Sequence, residues 1–321
     1  MKSCSALNLV RFMMQTDRAS QSGSARSSGR PVRNWQYRNF APLLPGMLFL
    51  LAIAIYPTFY SLVVSFFRWN LTDPAGMEFG GFHNYGLLLS DESFWHSLFI
   101  TVVFVATTVT LELLVGLAVA LLFFRRFPGD KFMRAMILLP MIVAPVVVGL
   151  LWRYMLNINF GVVNYVLSRI GIPRIDFLGD PSWALLTLIL IDVWQWTPFM
   201  FLILLAALQG IPEDILEAAR VDGANPAQIL FYHLLPLMRY PIAVAVVLRL
   251  IDAFRVYDII FMTTRGGPVD VTQTLSWQIY DAGFRSFDLG YAAAYSWLML
   301  VVVLAVTTLL LRIMMRKEDF A

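Results

Sequence analysis

Four charged residues recur at every third position in the last third of the chain: Arg249, Asp252, Arg255 and Asp258. On a helix that spacing makes a band that drifts slowly around one side, with opposite charges adjacent. Two more acids, Glu112 and Asp192, stand alone in long apolar runs, and Trp194 and Trp196 follow closely on Asp192. Carboxylates accept hydrogen bonds, guanidinium groups donate them, and an indole offers a flat face for stacking. A charge that faces lipid costs ~3 kcal/mol or more, so these groups are expected to face protein or water. Two roles fit. The band can form the polar wall of a solute pathway, with Asp192, Trp194, Trp196, Arg249, Asp252 and Arg255 lining it. Alternatively, arginine–aspartate pairs within the band, or bridges from it to Glu112 and Asp192, can hold helices together.

A second constellation lies at 211–241, a long polar interruption in otherwise apolar sequence. Pro212-Glu213-Asp214 reads as a helix start, with proline in the first turn and acids where the helix dipole favours them. Asp222-Gly223 reads as a stop, since glycine takes the left-handed conformation that helix ends want. Asn225-Pro226 reads as a second start, and Pro236 and Pro241 are expected to bound that second helix. Two capped helices joined by a tight turn are more than a connector needs.

Other chemistry has little to stand on. There is no GxxxxGK[ST] phosphate loop, no HExxH pair among His83, His96 and His233, and no GxSxG nucleophile elbow. The lone cysteine, Cys4, forms no disulfide within the chain and no cysteine metal site. No metal, cofactor or catalytic residue is therefore assigned, and nucleic acid is not an expected partner.

The elements that position these residues follow from composition. Of 321 residues, 59% are hydrophobic and 14% charged, where a soluble domain carries roughly a quarter charged. Apolar runs at 43–67, 97–124, 135–155, 183–208, 242–262 and 289–311 are each long enough to cross ~30 Å of hydrocarbon as a helix. Only a helix satisfies its own backbone in lipid, so the expected fold is all-α with six transmembrane helices, in which Pro57, Pro140, Pro145 and Pro198 suggest kinks where a helix can bend or part. Residues 1–41 carry seven Lys/Arg and one acid, and the Ser-, Gly- and Arg-rich stretch at 21–33 is expected to be disordered. With the N-terminus inside, inside segments hold sixteen Lys/Arg and outside segments six. That bias puts both termini, the 316–321 tail and the 211–241 loop in the cytoplasm. The residues from Gly161, GVVNYVLS, read as a short amphipathic helix on the outer surface.

Within the loop, Glu217-Ala218-Ala219, three residues, Gly223, nine residues, His233 and then Leu235-Pro236 resembles the EAA motif of ABC importer permeases. His233 stands where that family usually has Ile or Val. The resemblance covers nearly all of 42–315. Leu139-Pro140, Trp194 with Pro198-Phe199, Gly266-Gly267-Pro268 and Asp288-Leu289-Gly290-Tyr291-Ala292 look like the carbohydrate-uptake branch, whose members carry maltose, glycerol phosphate, trehalose and polyols.

The resemblance implies a type I ABC importer fold in a bacterial inner membrane. It implies a cytoplasmic coupling helix that docks on a separate ATPase dimer through Glu217, Ala218, Ala219, Asp222, Gly223 and Pro236. It also implies a second homologous permease, an external solute-binding protein, and a sugar or polyol as substrate. ATP and magnesium are then used by the partner ATPase, and this chain is no enzyme. Three other readings stay open: a carrier driven by an ion gradient with the charge band as proton relay, an ABC permease for a non-carbohydrate solute, and a membrane scaffold without transport.

Overall fold

The computed structural model describes residues 43–73, 76–124 and 127–315. The predicted basic tail at 1–41, Arg125 and Arg126, and the 316–321 tail lie outside the described residues. The chain divides into two units, up to Thr58 and from Phe59 onward. The boundary falls inside α1 (Leu44–Ser65), an uncharged helix that accommodates Pro57.

After α1 the second unit runs through a small hairpin, β1 (Phe67–Trp69) and β2 (Met77–Phe79), and a short helix, α2 (His83–Ser90). Then come α3 (Glu92–Leu122), α4 (Asp130–Ile142), α5 (Pro145–Met155), α6 (Val162–Arg169) and α7 (Pro181–Gln209). The polar interruption forms α8 (Glu213–Val221) and α9 (Pro226–Leu237). The chain ends with α10 (Arg239–Phe254), α11 (Asp258–Met262), α12 (Leu275–Tyr280) and α13 (Leu289–Met315). The fold is mostly helical. Among the described residues α1, α3, α7 and α13 are each long and apolar enough to cross a membrane, and the number rises to six if two bent helix pairs each count as one span.

The run at 135–155 parts at Pro145, one of the prolines expected to kink, and the run at 242–262, which holds no proline, is interrupted after Phe254. α4 and α5 meet at 94°. Pro145 disfavours helical backbone at the residue before it, and Val143 and Ala144 are extended, with ψ of 132° and 136°. Pro145 then opens α5, where its missing N–H costs nothing. α9 and α10 meet at 68°, and α10 stops at Phe254, well short of 262. Arg255 and Asp258 therefore do not continue the helix that carries Arg249 and Asp252. Pro236 is also not a boundary: it sits inside α9. The turn before it, Ile229–Leu234, is π-helical, with the Leu235 amide donating to the Leu230 carbonyl. A widened turn relieves the clash a proline ring makes with the carbonyl one turn back.

The centre of the second unit is the packing of α3 along α7. A Cβ on Gly116 would lie 2.7 Å from the Cβ of Met200 and 3.1 Å from the amide nitrogen of Phe201. Small residues at such crossings let helix backbones approach closely, the main source of helix association in lipid. Phe104, Phe123, Met200, Phe201, Leu204 and Leu208 are buried around this contact.

A second knot ties the start of α13 to the end of α1. Gly290 lies against the Phe67 carbonyl, where no side chain fits. Asn84 is buried and donates to the carbonyls of Ser65 (3.0 Å) and Phe67 (2.8 Å). Asp288 caps α13 by accepting from the Tyr291 amide at 2.9 Å, and the Tyr291 hydroxyl donates to Asp91 at 3.0 Å.

Candidate functional site

α3, α7 and α10 bring three of the isolated charges to one point. Arg249 is buried on α10, with 2% of its side chain exposed. Its Nε donates to Glu112 Oε2 at 2.8 Å and its Nη2 to Glu112 Oε1 at 2.9 Å. This two-pronged geometry is the strong form of an arginine–carboxylate pair. Nη2 also donates to Asp192 on α7, and Nη1 donates to Asp252 at 3.0 Å. Trp196 lies against the guanidinium, whose carbon is 5.1 Å from the ring centroid. Glu112 and Asp192 are buried like Arg249, whereas half of the Asp252 side chain is exposed. Arg249 thus bridges to Glu112 and Asp192 and also makes the pair inside α10 with Asp252.

The same residues open onto a small cleft of about 70 Å³, lined by Asp192, Trp196, Arg249, Asp252, Arg255 and Asp258 among others. Four N–H contacts of Arg249 are already taken by carboxylates, so the groups free to meet a solute are acceptor oxygens on Asp252 and Asp258 and the donors of Arg255. Trp194 does not line the cleft. It packs edge-on against Trp152 of α5, with centroids 5.5 Å apart. Tyr257 belongs to an aromatic cluster with Phe261 (5.4 Å) and Tyr280 (4.9 Å).

Gln195 was not singled out from the sequence. It is buried on α7 and donates from Nε2 to the Val143 carbonyl at 3.1 Å, in the break between α4 and α5. The extended backbone there leaves a carbonyl without a helical partner, and the amide side chain supplies one. No local signal marks it, because its partner lies 52 positions away.

The second constellation is α8, a turn, and α9. α8 ends in a Schellman motif: the Gly223 amide donates to Arg220 O at 3.1 Å and the Ala224 amide to Ala219 O at 2.9 Å. Gly223 has φ +82°, the left-handed conformation that motif requires. Asn225 then starts α9 with a reciprocal capping box. Its side chain accepts from the Gln228 amide at 2.9 Å, and the Gln228 side chain accepts from the Asn225 amide at 2.8 Å.

Ala219 is buried beneath α8, whereas Glu217, Ala218, Asp222 and Gly223 are exposed. Pro236 is exposed on α9, and His233 lies half-buried on the π-helical turn. Val221, Phe231 and Tyr232 also project outward, with 85%, 62% and 73% of their surface exposed. An open cavity of about 830 Å³ flanks α8, lined by Phe124, Glu213, Leu216, Glu217 and Arg220 among others.

Comparison with known proteins bears on both constellations. Residues 112–317 match the family described as binding-protein-dependent transport system inner membrane component. The chain is 37% identical over 286 residues to the trehalose/maltose transport system permease protein MalF of Thermococcus litoralis, covering 88% of this chain and 94% of that one. It is 36% identical over 276 residues to the sulfoquinovosyl glycerol transport system permease protein SmoG of Agrobacterium fabrum, covering 86% and 90%. In fold it is similar to a chain in the crystal structure of a bacterial ABC transporter involved in the import of the acidic polysaccharide alginate. There the TM-score is 0.77 with 24% identity, covering 96% of this chain and 100% of that one. None of these is a carrier driven by an ion gradient. On a family match over most of its length and on relatives aligned nearly end to end, the chain belongs to the inner-membrane permease components of binding-protein-dependent ABC transport systems.

Proposed function

We propose that this chain is one of two homologous permeases in an ATP-driven importer of a sugar, polyol or related glycoside. Six spans form its half of the pathway, α4 with α5 serving as the third and α10 with α11 as the fifth, and both termini are cytoplasmic. α8 and α9 form the coupling element that docks on a separate ATPase dimer. The 830 Å³ cavity and the exposed Glu217, Val221, Phe231 and Tyr232 make a surface suited to such a partner. An external binding protein delivers the solute. The charge bias of the connecting segments supports this orientation, and the names of the relatives support the substrate class.

The observation that carries the pathway is the cleft where α7 and α10 meet. Asp252 and Asp258 offer carboxylate oxygens to hydroxyl donors, Arg255 offers donors in return, and Trp196 presents a ring beside them. Closure of the ATPase dimer moves α8 and α9 as a lever, and the spans exchange inward- for outward-facing access. The test is uptake of labelled trehalose, maltose and glucitol by the full complex, with its binding protein, in proteoliposomes. Asp252→Ala is expected to raise KM by about tenfold or more with little change in maximal rate, the loss of roughly one hydrogen bond to a charged group. An unchanged KM would remove Asp252 from the pathway and leave it as an ion-pair partner only.

A further inference from the structure

α6 turns Val163, Asn164 and Leu167 inward, and Val163 packs against the core. Asn164, 1% exposed, donates to the carbonyls of Leu156 (3.3 Å), Asn157 (3.4 Å) and Ile175 (3.0 Å), and accepts from the Ile175 amide at 2.9 Å. These bonds fix the rotation of the helix by tying it to the chain on both sides. Gly161 makes the turn possible, since a Cβ there would run into the carbonyls of Met155 and Asn157.

The outward side is then apolar. Val162, Tyr165, Val166 and Ile170 are 59%, 58%, 53% and 67% exposed. Positions i, i+3, i+4 and i+8 form a single stripe. The stripe is continuous with the apolar outer surface of α5. Leu150, Leu151 and Tyr154 are exposed there, and Tyr154 meets Phe160 ring to ring at 6.4 Å. Arg169 and Arg174 are the charges at the stripe itself, and the acids of the same link, Asp176 and Asp180, follow next to α7. The Arg169 guanidinium is held at the stripe by the Tyr165 hydroxyl (2.8 and 3.2 Å) and lies 5.0 Å from the Tyr165 ring centroid. Arg174 lines a cavity of about 230 Å³ with Asn159, Phe160, Gly161 and Tyr165.

We infer that α6 is a lipid-docking helix. It lies in the membrane interface, with Val162, Tyr165, Val166 and Ile170 at the acyl boundary and Arg169 and Arg174 on the headgroups of anionic phospholipid. A fixed apolar face, continuous with the surface of an adjacent membrane segment and carrying arginine at its edge, has the properties of an interfacial anchor. A water-facing helix gains nothing from exposing that stripe. Anchoring the link between α5 and α7 holds the outer end of α5 at a set depth while the break at Val143–Pro145 bends.

The test uses the full complex in nanodiscs of phosphatidylcholine, with and without phosphatidylglycerol. In a Cys4→Ser background, nitroxide labels at Val166→Cys and Ile170→Cys report membrane depth from their accessibility to oxygen and to a water-soluble nickel chelate. The labels are expected to be oxygen-accessible and shielded from the chelate in both lipid mixtures, and to stay so when the binding protein is added. Native mass spectrometry of the complex released from mixed nanodiscs reads lipid retention. The Arg169→Gln/Arg174→Gln variant is expected to lower the preference for phosphatidylglycerol over phosphatidylcholine about tenfold. Labels open to the chelate until the binding protein arrives would overturn the inference and make this a protein-docking face. Shielded labels with an unchanged lipid preference would overturn the anionic headgroup and leave a charge-independent anchor.

Discussion

Arg249 is the centre of a buried charge cluster that joins three helices. It is buried with two carboxylates equally removed from water, and neither has another cation in bonding range among the described residues. Removing one partner of a buried ion pair strands the others at a cost of about 3–5 kcal/mol, far more than the intact pair contributes. Arg249→Ala is therefore expected to lower the thermal midpoint of the purified complex sharply. Asp252→Asn, at the half-exposed end of the cluster, should cost less than about 1 kcal/mol. Equal midpoints for the two variants would mean that the cluster is hydrated and does not hold α3, α7 and α10 together. The charge band itself was plain in the sequence. Its partners were not, because Glu112 and Asp192 lie 137 and 57 positions from Arg249 and only the packed helices bring them close. Bridging to these two acids was one of two readings, and residue types alone did not separate it from the pathway reading.

The elements divide by how local their causes are. The α8–α9 pair was readable in advance because caps are made by neighbours. Asn225 bonds a residue three positions on, and Gly223 needs only its own backbone freedom. Asn225→Ala should cost ~1 kcal/mol through loss of the cap, visible as faster hydrogen exchange confined to α9. Protection unchanged across 226–237 would contradict a role for the cap in holding that helix. Pro140 and Pro145 marked the third span as one that could part, whereas the fifth, an apolar run of 21 residues without a proline, looks like one helix. Nothing in the sequence signals that Gln195 reaches across from α7 to the Val143 carbonyl at the break. The three-residue strands β1 and β2 are too short to give an alternating pattern, and the need for Gly290 arises only where α13 meets the Phe67 carbonyl.

At the scale of the molecule, the chain joins two ends of one machine that it does not complete. It offers a polar cleft where α7 and α10 meet and a capped helix pair, α8 and α9, which the proposed function couples to a separate ATPase. The family match places it among permeases of binding-protein-dependent transport, and the proposed coupling through α8 and α9 states how the two ends communicate. Gly223→Asp puts a side chain on a left-handed backbone and a charge on the exposed turn, and Glu217→Lys inverts the charge beside the 830 Å³ cavity. Both sites are exposed, so membrane insertion should change little; Gly223→Asp carries a left-handed backbone cost of about 1 kcal/mol that Glu217→Lys does not. The most direct measurement is solute uptake by the reconstituted complex, with ATP sealed inside the vesicles and proton and sodium gradients abolished by ionophores. The account predicts uptake that persists without gradients, requires ATP, and falls to background in both variants while their assembly in the membrane stays intact. Uptake that collapses with the gradients, or that proceeds at the normal rate with Glu217→Lys and Gly223→Asp, would contradict it.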